Sequence, residues 1–159
     1  MNKLNKLVDD FQTELSDTWS LESEVYTQNE VKNILEECPN EFPMICFENT
    51  NDSDFIVDIS ESKFLNDESH EGEWLIIEPA NNIGIICLKE NDDTLHIDVF
   101  EINMLFRGIR FSRQIIEALE TSSKKYYKKI VVVPFDSSAY NFWEHLEYRN
   151  NGYEFEKDI

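Results

Sequence analysis

Cysteine is scarce in this chain and poorly spaced for chemistry. Cys38, Cys46 and Cys87 are its three cysteines, far apart and without a Cys-x-x-Cys pair. That pattern argues against a structural zinc site or any other metal and fits buried thiols in a reducing cytoplasm. Glycine and proline are equally few, four of each, so connections are expected to be short and the elements well filled. No stretch approaches the roughly 18 apolar residues of a membrane span. Met1 to Leu7 carries no apolar run of signal length before Asp9 and Asp10, so a cytoplasmic protein with no membrane partner is expected.

Basic charge is also in short supply. Fourteen Lys and Arg stand against 33 Asp and Glu, a net charge of −19, which argues against nucleic acid as a partner. What remains is ordinary for a globular protein, with 41% hydrophobic and 13% aromatic residues. A chain of 159 residues suits one domain with a real core and is too short for two. Monomer and homodimer both stay open.

The few cations are concentrated. Arg107, Arg110, Arg113, Lys124, Lys125, Lys128 and Lys129 face only Glu117 and Glu120 in the same segment, which is therefore +5 in a chain of −19, leaving −24 elsewhere. Lysines near a helix C-terminus complement its dipole. The three arginines crowd a predicted helix N-terminus, where cations are disfavoured, and an anion there would resolve the conflict.

Along the chain, Leu4, Leu7, Val8, Phe11 and Leu15 fall at helical spacing, predicting an amphipathic helix over 2–15. Thr27 to Glu30 reads as a capping box for a helix carrying Val31, Ile34, Leu35 and Cys38, closed by Pro39. Phe42–Phe47 and Phe55–Ile59 are short strand candidates, and 66–72 reads as a loop. Trp74–Glu78, Ile83–Leu88 and Leu95–Ile102 then follow with turn residues between them, the pattern of an antiparallel meander.

After Arg107-Gly108 the period changes to a helix ending near Ser123. Lys129–Val133 reads as a strand buried on both faces, Asp136 caps another helix, and a strand near Tyr153–Glu156 closes the pattern. The expected fold is α/β (α+β): a mixed, mostly antiparallel central sheet with helices on both faces. The strand-to-helix junction Arg107 to Ser112 is the first informative motif, because helix N-terminal amides bind phosphate readily.

This order of elements resembles the GNAT acetyltransferase family over about a third of the chain. The family turn Gln/Arg-x-x-Gly-x-Gly/Ala is matched at Arg107, while Arg110 and Ser112 stand where it has Gly and Gly/Ala. The later pattern Asn-x-x-Ala-x-x-Phe-Tyr-x-x-Leu-Gly-Phe is matched at Ala139, Phe142 and Leu146, with Asp136 for Asn and Trp143 for Tyr. The resemblance implies that residues 95–148 bind acetyl-CoA and that the N-terminal helices within 2–38 lie on the acceptor side.

It also implies roles for particular positions. Backbone groups of Ile102 pair with the pantetheine arm. The N–H groups of Gly108, Ile109, Arg110, Phe111 and Ser112 hold the pyrophosphate, with Arg107 and Arg113 adding charge. Asp136 and Trp143 lie beside the cofactor. His96 and Asp98, two apart on a strand, share one face if no bulge intervenes, and stand where relatives carry the base. Asp98 is expected to raise the His96 pKa and orient its ring. Tyr140, one turn before Trp143, is the candidate acid. The acidic remainder favours a small amine or basic peptide as acceptor. Two alternatives stay open: an inactive acyl-CoA-binding protein on the same scaffold, or an acidic interaction module mimicking nucleic acid.

Overall fold

The first amphipathic stretch is a helix, and it outruns its apolar signal. Helix α1 spans Lys3–Trp19 and buries Leu7, Val8, Phe11 and Leu15. The Asn2 side chain caps its start by accepting the Asn5 N–H at 2.8 Å. Ser20 closes it in the left-handed conformation at φ 56°. The computed structural model describes residues 2–37, 41–42, 72–108, 110–134 and 137–159. Cys38, Pro39, Cys46, His70, Ile109, Asp136, the strand candidate over 55–59, nearly all of that over 42–47 and most of the loop over 66–72 lie outside them.

A short strand that the sequence pattern does not announce comes next, β1 at Ser23–Tyr26. The capping box then forms as expected. Thr27 N–H donates to Glu30 Oε1 at 3.0 Å and Glu30 N–H to Thr27 Oγ1 at 3.2 Å, opening α2 at Gln28–Glu37. The expected meander is present as β2 (Glu73–Ile77), β3 (Gly84–Asn91) and β4 (Thr94–Ile102). Helix α3 spans Phe111–Ser123, β5 Lys129–Val132 and α4 Tyr140–His145. Two antiparallel strands follow, β6 at Arg149–Asn150 and β7 at Phe155–Asp158.

The seven described strands form one sheet in the order β1-β2-β3-β4-β5-β7-β6. Among the described strands only β4 and β5 run parallel, because α3 carries the chain back between them. Alternation along the strands sends apolar residues to both faces. One face packs Leu75, Ile77, Ile86, Leu95, Ile97 and Ile130 against α1, α3 and α4. The other packs Trp74, Ile76, Ile85, Cys87 and Val99 under Val31 and Leu35 of α2. Helices therefore cover both faces, and Ile130, Val131 and Val132 of β5 are at most 5% exposed.

Helix α1, which precedes the strand order that the resemblance implies, lies alongside α3. Tyr126, just past the α3 C-terminus, donates its hydroxyl to Asp10 at 2.6 Å, and Lys3 Nζ reaches the Asp92 carbonyl at 2.7 Å. Lys125 pairs with Asp10 at 3.5 Å. The lysines that end the basic segment are thus partly answered by α1.

Candidate functional site

The sheet opens between its two parallel strands. Strand β5 pairs with β4 only from Thr94↔Lys129 to Ile97↔Val132. From Asp98 onward β4 has β3 on one side and, among the described residues, no strand on the other. The cause is local. In the β3–β4 register Cys87 faces Val99 while Leu88 faces Ile97, so Asp98 is an extra residue in β4. Such a bulge bends and twists its strand, and here it falls just past the last position paired with β5.

Backbone geometry sets what the open edge presents. Asn103 N–H donates to the Ile83 carbonyl at 2.9 Å, toward β3. Peptide groups alternate sides along a strand, so Phe100 and Ile102 turn theirs to the open side. An extended polar ligand could pair with such an edge as an added strand does.

Asn103 fixes where the edge ends. It is fully buried, donating to Glu41 Oε1 and to the Asn82 carbonyl, both at 3.0 Å, and accepting the Leu105 N–H at 2.8 Å. A 3-10 turn over Met104–Phe106 follows. Gly108 has φ 84°, a conformation natural to glycine. Arg110 sits at φ 60°, ψ 5°, the left-handed region, as the residue before α3. Arg110 thus takes a backbone conformation that favours glycine.

Helix α3 begins directly after Arg110, with no side chain capping its N-terminus. Its first internal bond runs from Gln114 N–H to the Arg110 carbonyl at 3.1 Å. The amides of Phe111, Ser112 and Arg113 therefore have no partner inside the helix. With the positive end of the helix dipole they could hold an anion.

The three arginines do not all wait for that anion, which corrects the sequence expectation. Arg107 binds the buried carboxylate of Glu101 and donates Nε to the Ile102 carbonyl at 3.1 Å. Arg113 pairs with Glu117 four residues on, at 2.9 Å. Intrinsic carboxylates answer both charges. Arg110 is exposed and makes no ion pair among the described residues.

His96 and Asp98 straddle the fork. His96 lies opposite Val131, one residue before the last paired position. Asp98 pairs with Lys89 at 3.2 Å, and Lys89 lies opposite His96 in the register. Both therefore occupy the face that α2 covers. They share it despite the bulge, because the inserted residue keeps the side of its neighbour Val99.

The effect on His96 is the reverse of the expected one. Partial burial pushes its pKa below the ordinary imidazole value, and the attraction of Asp98 offsets this only in part. Lys89 answers Asp98, which weakens its pull on the ring. A neutral imidazole at the fork is the outcome. Cys87, buried beside them, has its thiol pushed far up by desolvation and by Asp98, so it is inert.

The residues of α4 divide. Trp143 is 3% exposed, packed edge-on against Phe100, Phe142 and Tyr148 with centroids at 6.2, 4.9 and 5.0 Å. That corrects its reading as a cofactor contact. The indole is core, wedged beneath the open half of β4. Tyr140 is 39% exposed, its ring 5.0 Å from Phe155, which pairs with Val132 at the fork. His145 is exposed, its Nδ1 2.6 Å from the Asn141 carbonyl. Ile109 and Asp136 lie outside the described residues.

Three residues escaped the sequence reading: Glu101, Lys89 and Asn103. Only Asn103 carries a local signal, as a turn-forming residue directly after a strand. Among the described residues no group of three His, Cys, Asp or Glu could hold a metal ion. No described helix is long and apolar enough to cross a membrane.

No family model and no curated protein matches the chain. Solved structures do. A GNAT-family acetyltransferase from Staphylococcus aureus Mu50 superposes with a TM-score of 0.62 at 12% identity, over 87% of this chain and 98% of that one. An acetyltransferase from Thermus thermophilus gives 0.61 at 11%, over 87% and 97%. The PaiA N-acetyltransferase of Thermoplasma acidophilum, in complex with coenzyme A, gives 0.57 at 16%, over 87% and 99%. This chain has the GNAT acetyltransferase fold.

Proposed function

We propose that this chain is an N-acetyltransferase of the cytoplasm that moves an acetyl group from acetyl-CoA to a primary amine. One observation carries the reading. The edge of β4 that opens at Asp98 leads directly into a turn whose Arg110 takes a glycine-like backbone at the N-terminus of α3. A long ligand with an extended polar arm and a diphosphate matches that sequence of features. Phe100 and Ile102 would take the arm, and the α3 amides with the Arg110 side chain would take the phosphates. Bound there, acetyl-CoA supplies an acyl group activated as a thioester.

The chain's own contribution is proton management at the fork. An attacking amine must be neutral, and it sheds a proton as the new C–N bond forms and the C–S bond breaks. Neutral His96, at the point of separation, is placed to accept that proton directly or through one water. Asp98 stands beside it to favour the imidazolium once formed. Tyr140, exposed one strand away, is the candidate donor to the departing thiolate. The acceptor approaches over the face shared by His96 and α2; α1 packs on the opposite face. Charge of −24 outside the basic segment favours a cationic small amine or basic peptide.

A second reading, acyl-CoA binding without transfer, is favoured by Trp143, whose buried indole supplies no acid where the family has tyrosine. Titration calorimetry with coenzyme A and acetyl-CoA turnover against polyamines, aminated small molecules and basic peptides decide between them. Binding with acetylation of an amine supports the enzyme, and binding with no product the second reading. No heat with millimolar coenzyme A sinks both.

A further inference from the structure

Glu101 is a buried carboxylate that the transfer chemistry leaves unused. Its side chain is 8% exposed and lies on the strand that would receive the pantetheine arm, yet its partner comes from beyond the 3-10 turn. Arg107 reaches back across that turn to bind it, and the same guanidinium donates Nε to the Ile102 carbonyl at 3.1 Å. One side chain thus joins a strand carboxylate, the last carbonyl of β4 and the first residue of the anion turn. A carboxylate is costly to bury unless paired, so the link holds the turn against the strand end.

We propose that Glu101 is a positioning residue for the nucleotide end of the co-substrate, acting through Arg107, which serves the protein rather than the phosphates. The inference rests on the acetyl-CoA reading above. By drawing Arg107 onto β4, Glu101 sets the start of the turn relative to the open edge. The anion site at α3 is then in line with the arm-binding groups of Phe100 and Ile102. Satisfying the Ile102 carbonyl internally leaves its N–H, with the Phe100 peptide groups, as the paired portion of the edge.

Charge alone predicts the opposite effect. A carboxylate near a polyanion site repels the ligand, and its removal would also release Arg107 toward the phosphates, so Glu101→Gln would tighten binding. Positioning predicts that it weakens binding. Calorimetric titration of the full chain with coenzyme A separates the two, with kcat and KM for acetyl-CoA measured beside it. Glu101→Gln should weaken coenzyme A on the order of tenfold, the worth of a charged hydrogen bond. KM should rise in step while kcat stays within about twofold. Arg107→Gln should lose as much, and the double variant no more than either single, as for two members of one link.

Arg107→Lys keeps the charge but cannot span both partners, and should bind as weakly as Arg107→Gln. It guards against a Glu101 variant that fails to fold, which thermal unfolding would reveal. Coenzyme A binding by Glu101→Gln as tight as wild type, wild-type behaviour of Arg107→Lys, or full additivity in the double variant overturns the proposal while leaving the acetyl-CoA reading intact. A wild-type chain that does not bind coenzyme A overturns both.

Discussion

Phe100 and Trp143 meet edge to face, ring centroids 6.2 Å apart, so the short helix α4 backs the half of β4 that β5 leaves unpaired. Helix α4 has only six residues and holds its place through this contact and the Trp143–Tyr148 pair. Trp143→Ala should therefore destabilise the chain by about 3–5 kcal/mol, read by urea denaturation. Trp143→Tyr, which restores the family residue, should not raise kcat, since its hydroxyl would enter the core. A gain in kcat would show that the position faces the reacting groups.

Arg110 joins two effects that can be separated. A side chain in the left-handed region costs roughly 1–2 kcal/mol, so Arg110→Gly should stabilise the chain, visible as a higher Tm. The same change removes the exposed guanidinium beside the α3 amides and should weaken coenzyme A binding. Arg110→Ala keeps the strain, loses the charge, and should bind no better than Arg110→Gly. Unchanged affinity in both variants would leave the phosphates to the backbone alone.

The pH dependence of turnover follows from His96. Burial outweighs Asp98 and lowers its pKa, so as a proton acceptor it is active above a midpoint lying under the ordinary value of about 6.5. The kcat profile should rise through that midpoint and level off near neutrality. The sign for stability is the same: the unfolded chain takes up the proton first, so stability falls as pH drops through the unfolded value toward the folded one. His96→Gln should abolish the limb and lower kcat about 10²-fold. A midpoint above 6.5 counts against the assignment, and so does a limb that survives the substitution.

Asn103→Leu tests the end of β4. The substitution strands the Leu105 N–H, the Asn82 carbonyl and the Glu41 carboxylate, three partners of one buried amide. A cost of about 2–3 kcal/mol is expected, measured by chemical denaturation. Coenzyme A affinity should fall as well, because Met104 N–H on the Glu41 carbonyl at 2.8 Å belongs to the same anchoring of the turn.

Much of the fold can be read from pattern because its elements bury regular faces. The run Leu95, Ile97, Val99, then Phe100 and Ile102 also contains the bulge: the apolar residues change phase between Val99 and Phe100. That slip is a local sign of the bulge, present in the sequence but absent from the expectation of an unbroken strand. Strand β1 gives no such sign, since its four residues are half-buried or exposed and it is joined to β2 by backbone pairing. Helix α1 runs past its last buried leucine, through the exposed Ser16 to Thr18, to Trp19, which packs against the core again.

The site is legible in place but not in wiring. Spacing locates the turn and puts His96 and Asp98 on one face of a strand, but the parting of β4 from β5 beside them leaves no mark in it. Which carboxylate answers which arginine depends on a side chain crossing a 3-10 turn, as Arg107 does to reach Glu101, and no local period records that. The direction of the His96 shift turns on burial and on Lys89 competing for Asp98, both tertiary facts.

The docking of α1 beside α3 has a temporal side. Asp10 and Tyr126, which bond across that junction, are separated by 116 positions. A ribosome adding roughly 5–20 residues per second leaves Asp10 waiting about 6–23 seconds for Tyr126. Until then the α3 side of the cluster that buries Leu7, Phe11 and Leu15 is missing. Partly made chains are therefore prone to cling to one another, or to recruit a chaperone, through this apolar face of α1.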